Sequence, residues 1–196
     1  MTFSPEALNA FEIIAAVAGV AYVVLAARRN RLCWIVGAVC SAFIAVVSAL
    51  SALPMQASLN VFFVGMSVYG WWSWTSSSAQ GEVPVRVWRF AWHIGAVLVV
   101  LALSFSSARW LATETDAAWP LLDSLTTWFS LLATWLQARA FLENWLYWVA
   151  IDGVLVFLFY ARDKIFLASL NLLYIGIAAA TFVVWRRKFR MQMVPA

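Results

Sequence analysis

Seven stretches of this chain, each about 20 residues long, carry almost only apolar side chains, and that pattern leaves few folds open. They run at about 7–27, 32–51, 55–75, 88–107, 119–138, 144–161 and 165–185. An α-helix needs roughly 20 apolar residues to cross the hydrocarbon core of a bilayer. No water reaches that core, so only helices or closed barrels satisfy the backbone there. The runs are continuous rather than alternating, which excludes a barrel. Charge agrees: 11% of the residues are Asp, Glu, Lys or Arg, against roughly 25% in a soluble domain. The expectation is an all-α membrane protein with seven transmembrane helices. No Lys or Arg precedes Arg28, so the first apolar run lacks the basic start of a signal peptide and is expected to be retained.

Basic residues sit at the ends of these runs and orient them. With the N-terminus outside, the inner side holds Arg28, Arg29, Arg31, Arg86, Arg89, Arg139, Arg186, Arg187, Lys188 and Arg190. The outer side holds Arg109, Arg162 and Lys164, and ten against three is a strong inward bias. The C-terminus is then cytoplasmic. The net charge of +4 therefore reads as topology, and no nucleic-acid partner is expected. The segment 76–87, rich in Ser and Gly with Pro84, reads as a linker.

Shifted by 111 residues, the chain matches itself. Ala57-Ser58-Leu59-Asn60 falls on Ala168-Ser169-Leu170-Asn171. Trp34 falls on Trp145, Gly65 on Gly176, Trp74 on Trp185 and Arg28 on Arg139, without a gap over about 60 residues. Residues 7–75 and 119–185 thus form two three-helix repeats, and the helix at 88–107 joins them. Three spans invert the chain and the fourth restores it, so the repeats are parallel. Transporters built from parallel repeats bind substrate near the midplane between their halves.

Departures from the repeat mark the chemistry. In the run Glu143-Asn144-Trp145-Leu146-Tyr147-Trp148-Val149-Ala150-Ile151-Asp152, Trp145, Trp148 and Asp152 share a helix face. A carboxylate inside a membrane is a functional hypothesis by default, and aromatic faces beside it suit a flat cation. The mates of Trp148 and Asp152 are Gly37 and Ser41, whereas Trp145 has a Trp mate. Trp148 and Asp152 are therefore the stronger candidates for ligand contact. Asn60 and Asn171 either touch ligand or cross-link helices, and Tyr174 adds a phenol one turn after Asn171. Trp128, at mid-depth, is either a packed core residue or a stacking platform. Gln137 and Trp135 either line an inner gate or anchor the interface. Glu12 and Asp123 lie in the outer thirds of their spans. Arg139 and Glu143 are spaced for an ion pair.

Other chemistries lack their residues. Cys33 and Cys40 read as buried thiols. His93 is the sole histidine, with no Cys or carboxylate near it in sequence, so no metal site is expected. No catalytic residue set and no cofactor motif is present, and no G-x-x-x-x-G-K-[ST] loop binds ATP. Proton coupling through Asp152 or Glu12 stays open.

The run Thr134-Trp135-Leu136-Gln137-Ala138-Arg139-Ala140-Phe141-Leu142-Glu143-Asn144-Trp145-Leu146-Tyr147-Trp148, continued by Asp152, resembles the signature of the PnuC family of vitamin transporters. The resemblance extends over the whole chain and implies a SWEET-like 3+1+3 fold of two parallel repeats. It further implies facilitated diffusion of nicotinamide riboside, with thiamine or riboflavin as the alternative. A homotrimer in the bacterial inner membrane is implied too, with a cytoplasmic kinase trapping the product. It places the ligand against Trp145, Trp148, Asp152, Asn171 and Tyr174. A sugar carrier of the SWEET class would share the layout but hinge on a proline in each repeat. Here Pro54 and Pro120 lie near span ends and are not repeat mates.

Overall fold

The computed structural model describes residues 5–50, 54–77, 83–114 and 119–193. Among them seven α-helices follow one another: α1 Pro5–Ala27, α2 Leu32–Leu50, α3 Pro54–Ser77, α4 Phe90–Glu114, α5 Pro120–Ala138, α6 Asn144–Tyr160 and α7 Ile165–Gln192. The helices fall where the apolar runs place them. Pro5, Pro54 and Pro120 stand at helix starts, where a missing N–H costs nothing. The largest differences lie at two C-termini, where α4 continues to Glu114 and α7 to Gln192. Arg186, Arg187, Lys188 and Arg190 end the apolar run of α7 but not its hydrogen bonding, because charged side chains are good helix formers. By length and composition, α4 and α7 are each apolar and long enough to cross a bilayer.

Two compact units divide the chain, Met1–Val83 and Pro84–Ala196. In the first, α2 packs against both α1 and α3. Its core joins Ala26, Cys33, Trp34 and Trp74, all buried. The Trp34 and Trp74 rings meet edge to face, 5.4 Å apart and at 84°. Trp34 lies so close over Gly70 that a Cβ there would overlap the indole. In the second unit α5 packs against α4 and α6, and α6 against α7. Trp145 and Trp185 meet edge to face at 5.5 Å and 82°, the same arrangement as Trp34 and Trp74.

The turns α1–α2 and α5–α6 match as closely. Arg29 and Ala140, 111 positions apart, both adopt left-handed backbone, at φ 56° and 55°. In the first turn the Arg29 N–H donates to Ala26 O and the Asn30 N–H to Leu25 O. In the second the Ala140 N–H donates to Gln137 O and the Phe141 N–H to Leu136 O. Both are Schellman ends, in which a left-handed residue lets the chain reverse while the last carbonyls stay bonded. Asp163 ends α6 in the same way, at φ 56°.

Arg29 also makes a contact that the sequence does not show. Its guanidinium is buried and donates to Val83 O at 2.6 Å, and burial lowers its pKa from the ordinary arginine value. Arg86 of the expected linker pairs with the α5–α6 turn. Residues 78–82 lie outside the described residues. Beyond them, the Arg86 N–H donates to Ala140 O at 2.9 Å, and the Leu142 N–H donates to Arg86 O at 2.8 Å. That pairing pins the segment before α4 along the α5–α6 turn.

Candidate functional site

The α5–α6 turn fixes where α6 begins, and α6 then buries Asn144, Trp145, Ile151, Asp152 and Leu158 on one side. From α7 the buried residues are Ala168, Asn171, Ala178, Thr181 and Trp185. Most polar groups here are satisfied within the protein. The Asn171 side chain donates to Leu167 O at 2.8 Å. Thr181 donates to Ile177 O at 2.7 Å. Asn144 donates to Phe141 O at 2.6 Å, but its carbonyl oxygen is buried without a partner.

Asp152 stands apart. It is 5% exposed, and no hydrogen bond or ion pair to its carboxylate occurs among the described residues. Leaving a buried carboxylate unpaired costs several kcal/mol, so the group calls for a partner. One turn earlier on α6, Trp148 is half-buried. Its Nε1–H donates to Gln137 Oε1 at 3.1 Å. Gln137 is itself only 1% exposed. That contact joins Gln137 to Trp148 across the turn. With its N–H engaged, the Trp148 indole has only its π-faces to offer.

The first unit has the opposite distribution of bulk. The mates of Gln137 and Trp148 are Ala26 and Gly37. A Cβ added at Gly37 would meet the Tyr22 ring at 3.0 Å and Ser67 Oγ at 3.2 Å. The mates of Tyr22 and Ser67 are Ala133 and Ala178, both buried and small. Where the first half fills space with Tyr22, the second has an alanine on α5 and a tryptophan on α6.

The remaining expected residues separate. Trp145 is 2% exposed and packs edge-on against Trp185, and its Nε1 is buried without a hydrogen-bond partner, as is that of Trp34. Trp128 donates its N–H to Ser107 Oγ on α4 at 3.0 Å, which makes it a tether between α4 and α5. Tyr174 is half-buried on α7, and Asn60 is buried on α3 of the first unit. Asp123 pairs with Arg162 at 3.4 Å, while the side chain of Glu12 lies outside the described residues.

One cluster was not legible in the sequence. His93, in the first turn of α4, has Nδ1 2.9 Å from the Tyr147 hydroxyl of α6. The Glu143 carboxylate accepts the Trp88 N–H through both oxygens at 3.2 Å, where an ion pair with Arg139 was expected. Arg139 lies over the Trp135 ring, 5.9 Å from its centroid. His93 and Tyr147 are 54 residues apart, so no periodicity could have joined them.

The described residues thus form seven α-helices, with a buried acid one turn along α6 from a half-buried tryptophan. The fold matches the crystal structure of the vitamin B3 transporter PnuC with a TM-score of 0.73 at 20% identity, covering 91% of this chain and 81% of that one. The sequence profile of the nicotinamide mononucleotide transporter family matches residues 9–187, and the chain belongs to that family of membrane transporters, which are not enzymes. Among its relatives is the nicotinamide riboside transporter PnuC of Escherichia coli (strain K12), 24% identical over 84% of this chain and 79% of that protein. The PnuC of Shigella flexneri matches with the same figures.

Proposed function

We propose that this chain carries nicotinamide riboside into the cytoplasm by facilitated diffusion. The observation that carries the reading is the buried carboxylate of Asp152, without a hydrogen-bond or ion-pair partner among the described residues, one turn from an indole whose N–H is already given to Gln137. A flat cation answers both features. Its charge supplies what Asp152 lacks, and its ring stacks on Trp148 for about 0.5–2 kcal/mol. The nicotinamide ring of the riboside is a pyridinium of that kind, and its ribose hydroxyls suit amide and phenol groups such as Asn171 and Tyr174. Family membership and the names of the relatives support the same substrate.

The frame we infer is a 3+1+3 arrangement, with repeats at 7–75 and 119–185 joined by a linker helix at 88–107. The matched Trp pairs and matched turns favour it. Trp145 then serves chiefly as architecture, Gln137 orients Trp148, and Trp128 ties α5 to the linker helix. The protein works as a homotrimer in the bacterial inner membrane, N-terminus outside and C-terminus cytoplasmic. A cytoplasmic kinase acting on the delivered vitamin makes uptake one-way.

Titrating purified protein with nicotinamide riboside, thiamine and riboflavin, followed by Trp fluorescence and calorimetry, tests the substrate. Nicotinamide riboside should bind tightest and neutral riboflavin weakest. Binding of thiamine alone would replace the first choice with the second. Asp152→Asn should weaken binding of the riboside about tenfold, the loss of roughly 1.4 kcal/mol. Uptake into kinase-free vesicles that ignores proton ionophores would support facilitated diffusion, and collapse of uptake on their addition would refute it.

A further inference from the structure

The cluster around His93 lies outside the proposed ligand contacts and has no counterpart in the first half. The mates of Glu143 and Tyr147 are Leu32 and Val36. His93 stacks on Tyr147, with ring centroids 5.8 Å apart and planes at 22°, and meets the Trp88 ring edge-on at 4.8 Å. Its Nε2 is buried with no hydrogen-bond partner and lies 4.0 Å from Glu143 Oε1. That separation is too long for a hydrogen bond but short enough for an ion pair.

We propose that His93 is a proton-responsive positioning residue, whose charge state sets how firmly α4 holds the first turns of α6, where Tyr147 directly precedes Trp148. The groups facing His93 are Tyr147 from α6, Glu143 from the α5–α6 turn and Trp88 from the segment before α4. Of the arginines nearby in sequence, Arg86 and Arg89 are exposed, and Arg139 lies over Trp135. The carboxylate is thus the charged group that faces the ring.

In the neutral ring with its proton on Nε2, Nδ1 accepts a hydrogen bond from the Tyr147 hydroxyl and Nε2–H points into the gap before Glu143. Adding one proton makes both nitrogens donors. Nδ1–H then donates to the Tyr147 oxygen, and the imidazolium faces the carboxylate across that gap. The charged form therefore draws the α5–α6 turn toward α4, and the neutral form relaxes it. Trp148 and its partner Gln137 stand on the two sides of the same turn, so the cluster adjusts the frame that orients the indole.

The test uses full-length, ligand-free protein melted between pH 8.0 and 5.5, as wild type, His93→Gln and Glu143→Gln. Glutamine at 93 keeps a hydrogen-bonding group but cannot take the charge. The melting temperature of wild type should gain on His93→Gln by 3 °C or more as pH falls, and on Glu143→Gln by a similar amount. Gaps that stay constant with pH overturn the proposal. Should His93→Gln fail to fold, the Glu143→Gln comparison decides alone. The second measurement rests on the proposed function: initial uptake of labelled nicotinamide riboside across the same pH range. The ratio of uptake at pH 5.5 to that at pH 8.0 should differ at least twofold between wild type and His93→Gln, and parallel profiles would remove the positioning role. Absence of uptake in every protein at every pH would count against the substrate, while the melts would still judge the proton-responsive contact.

Discussion

The N–H of Trp148 is engaged by Gln137 and that of Trp145 is buried without a hydrogen-bond partner, and this difference separates two residues that a helical wheel puts together. Spacing alone gave both a place on one face of α6. The repeat already set them apart, because Trp145 has a tryptophan mate and Trp148 a glycine. The structure adds that Trp145 is spent on Trp185. What the sequence hid were contacts reaching across a turn or between distant helices, such as Gln137 to Trp148 and His93 to Tyr147. Neither pair has the i, i+3 or i, i+4 spacing that a single helix makes readable. Two substitutions distinguish the roles. Trp148→Leu should lower ligand affinity tenfold or more with a modest change in melting temperature. Trp34→Leu should cost about 3 kcal/mol of stability through lost packing against Trp74, with affinity of the folded fraction unchanged. Calorimetry paired with thermal melts reads both, and equal losses of affinity would undo the distinction.

The helices were legible because seven apolar runs of membrane-spanning length admit little else. Their ends were less so, since the apolar run reports lipid depth while the helix end reports backbone geometry. The continuation of α7 through Arg186, Arg187 and Lys188 shows the difference. The Schellman ends were invisible because none carries glycine at its left-handed position, which is held by Arg29, Ala140 and Asp163. A side chain there costs roughly 1 kcal/mol against glycine. Asp163 is exposed, so Asp163→Gly loses no packing and should stabilise the fold by about 0.5–1 kcal/mol, read as a higher melting temperature. A lower one would mean the aspartate makes an interaction that offsets its backbone strain. Gly70→Ala should act the other way, by about 1–3 kcal/mol, because its methyl would drive into the Trp34 indole. An unchanged melting temperature would show that Trp34 can move aside.

Across the whole chain, the proposed topology ties the direction of every helix to the same bias of basic residues. Single cysteines replacing Lys188 and Asp163 should therefore label oppositely in right-side-out vesicles, the second from outside and the first only after permeabilisation. Labelling of both from one side would break the proposed topology. Such an experiment is practical because Cys33 is buried and Cys40 half-buried. The matched turns have a further consequence for how any such variant is judged. Since Arg29 and Ala140 adopt the same backbone within one degree of φ, the bonding scheme of each turn serves as a ruler for the other. Each position in the first half is an internal control for its mate. A change that harms stability equally at Trp34 and Trp145 measures shared scaffold. One that matters only at Trp148, and not at Gly37, measures what the second half carries and the first lacks.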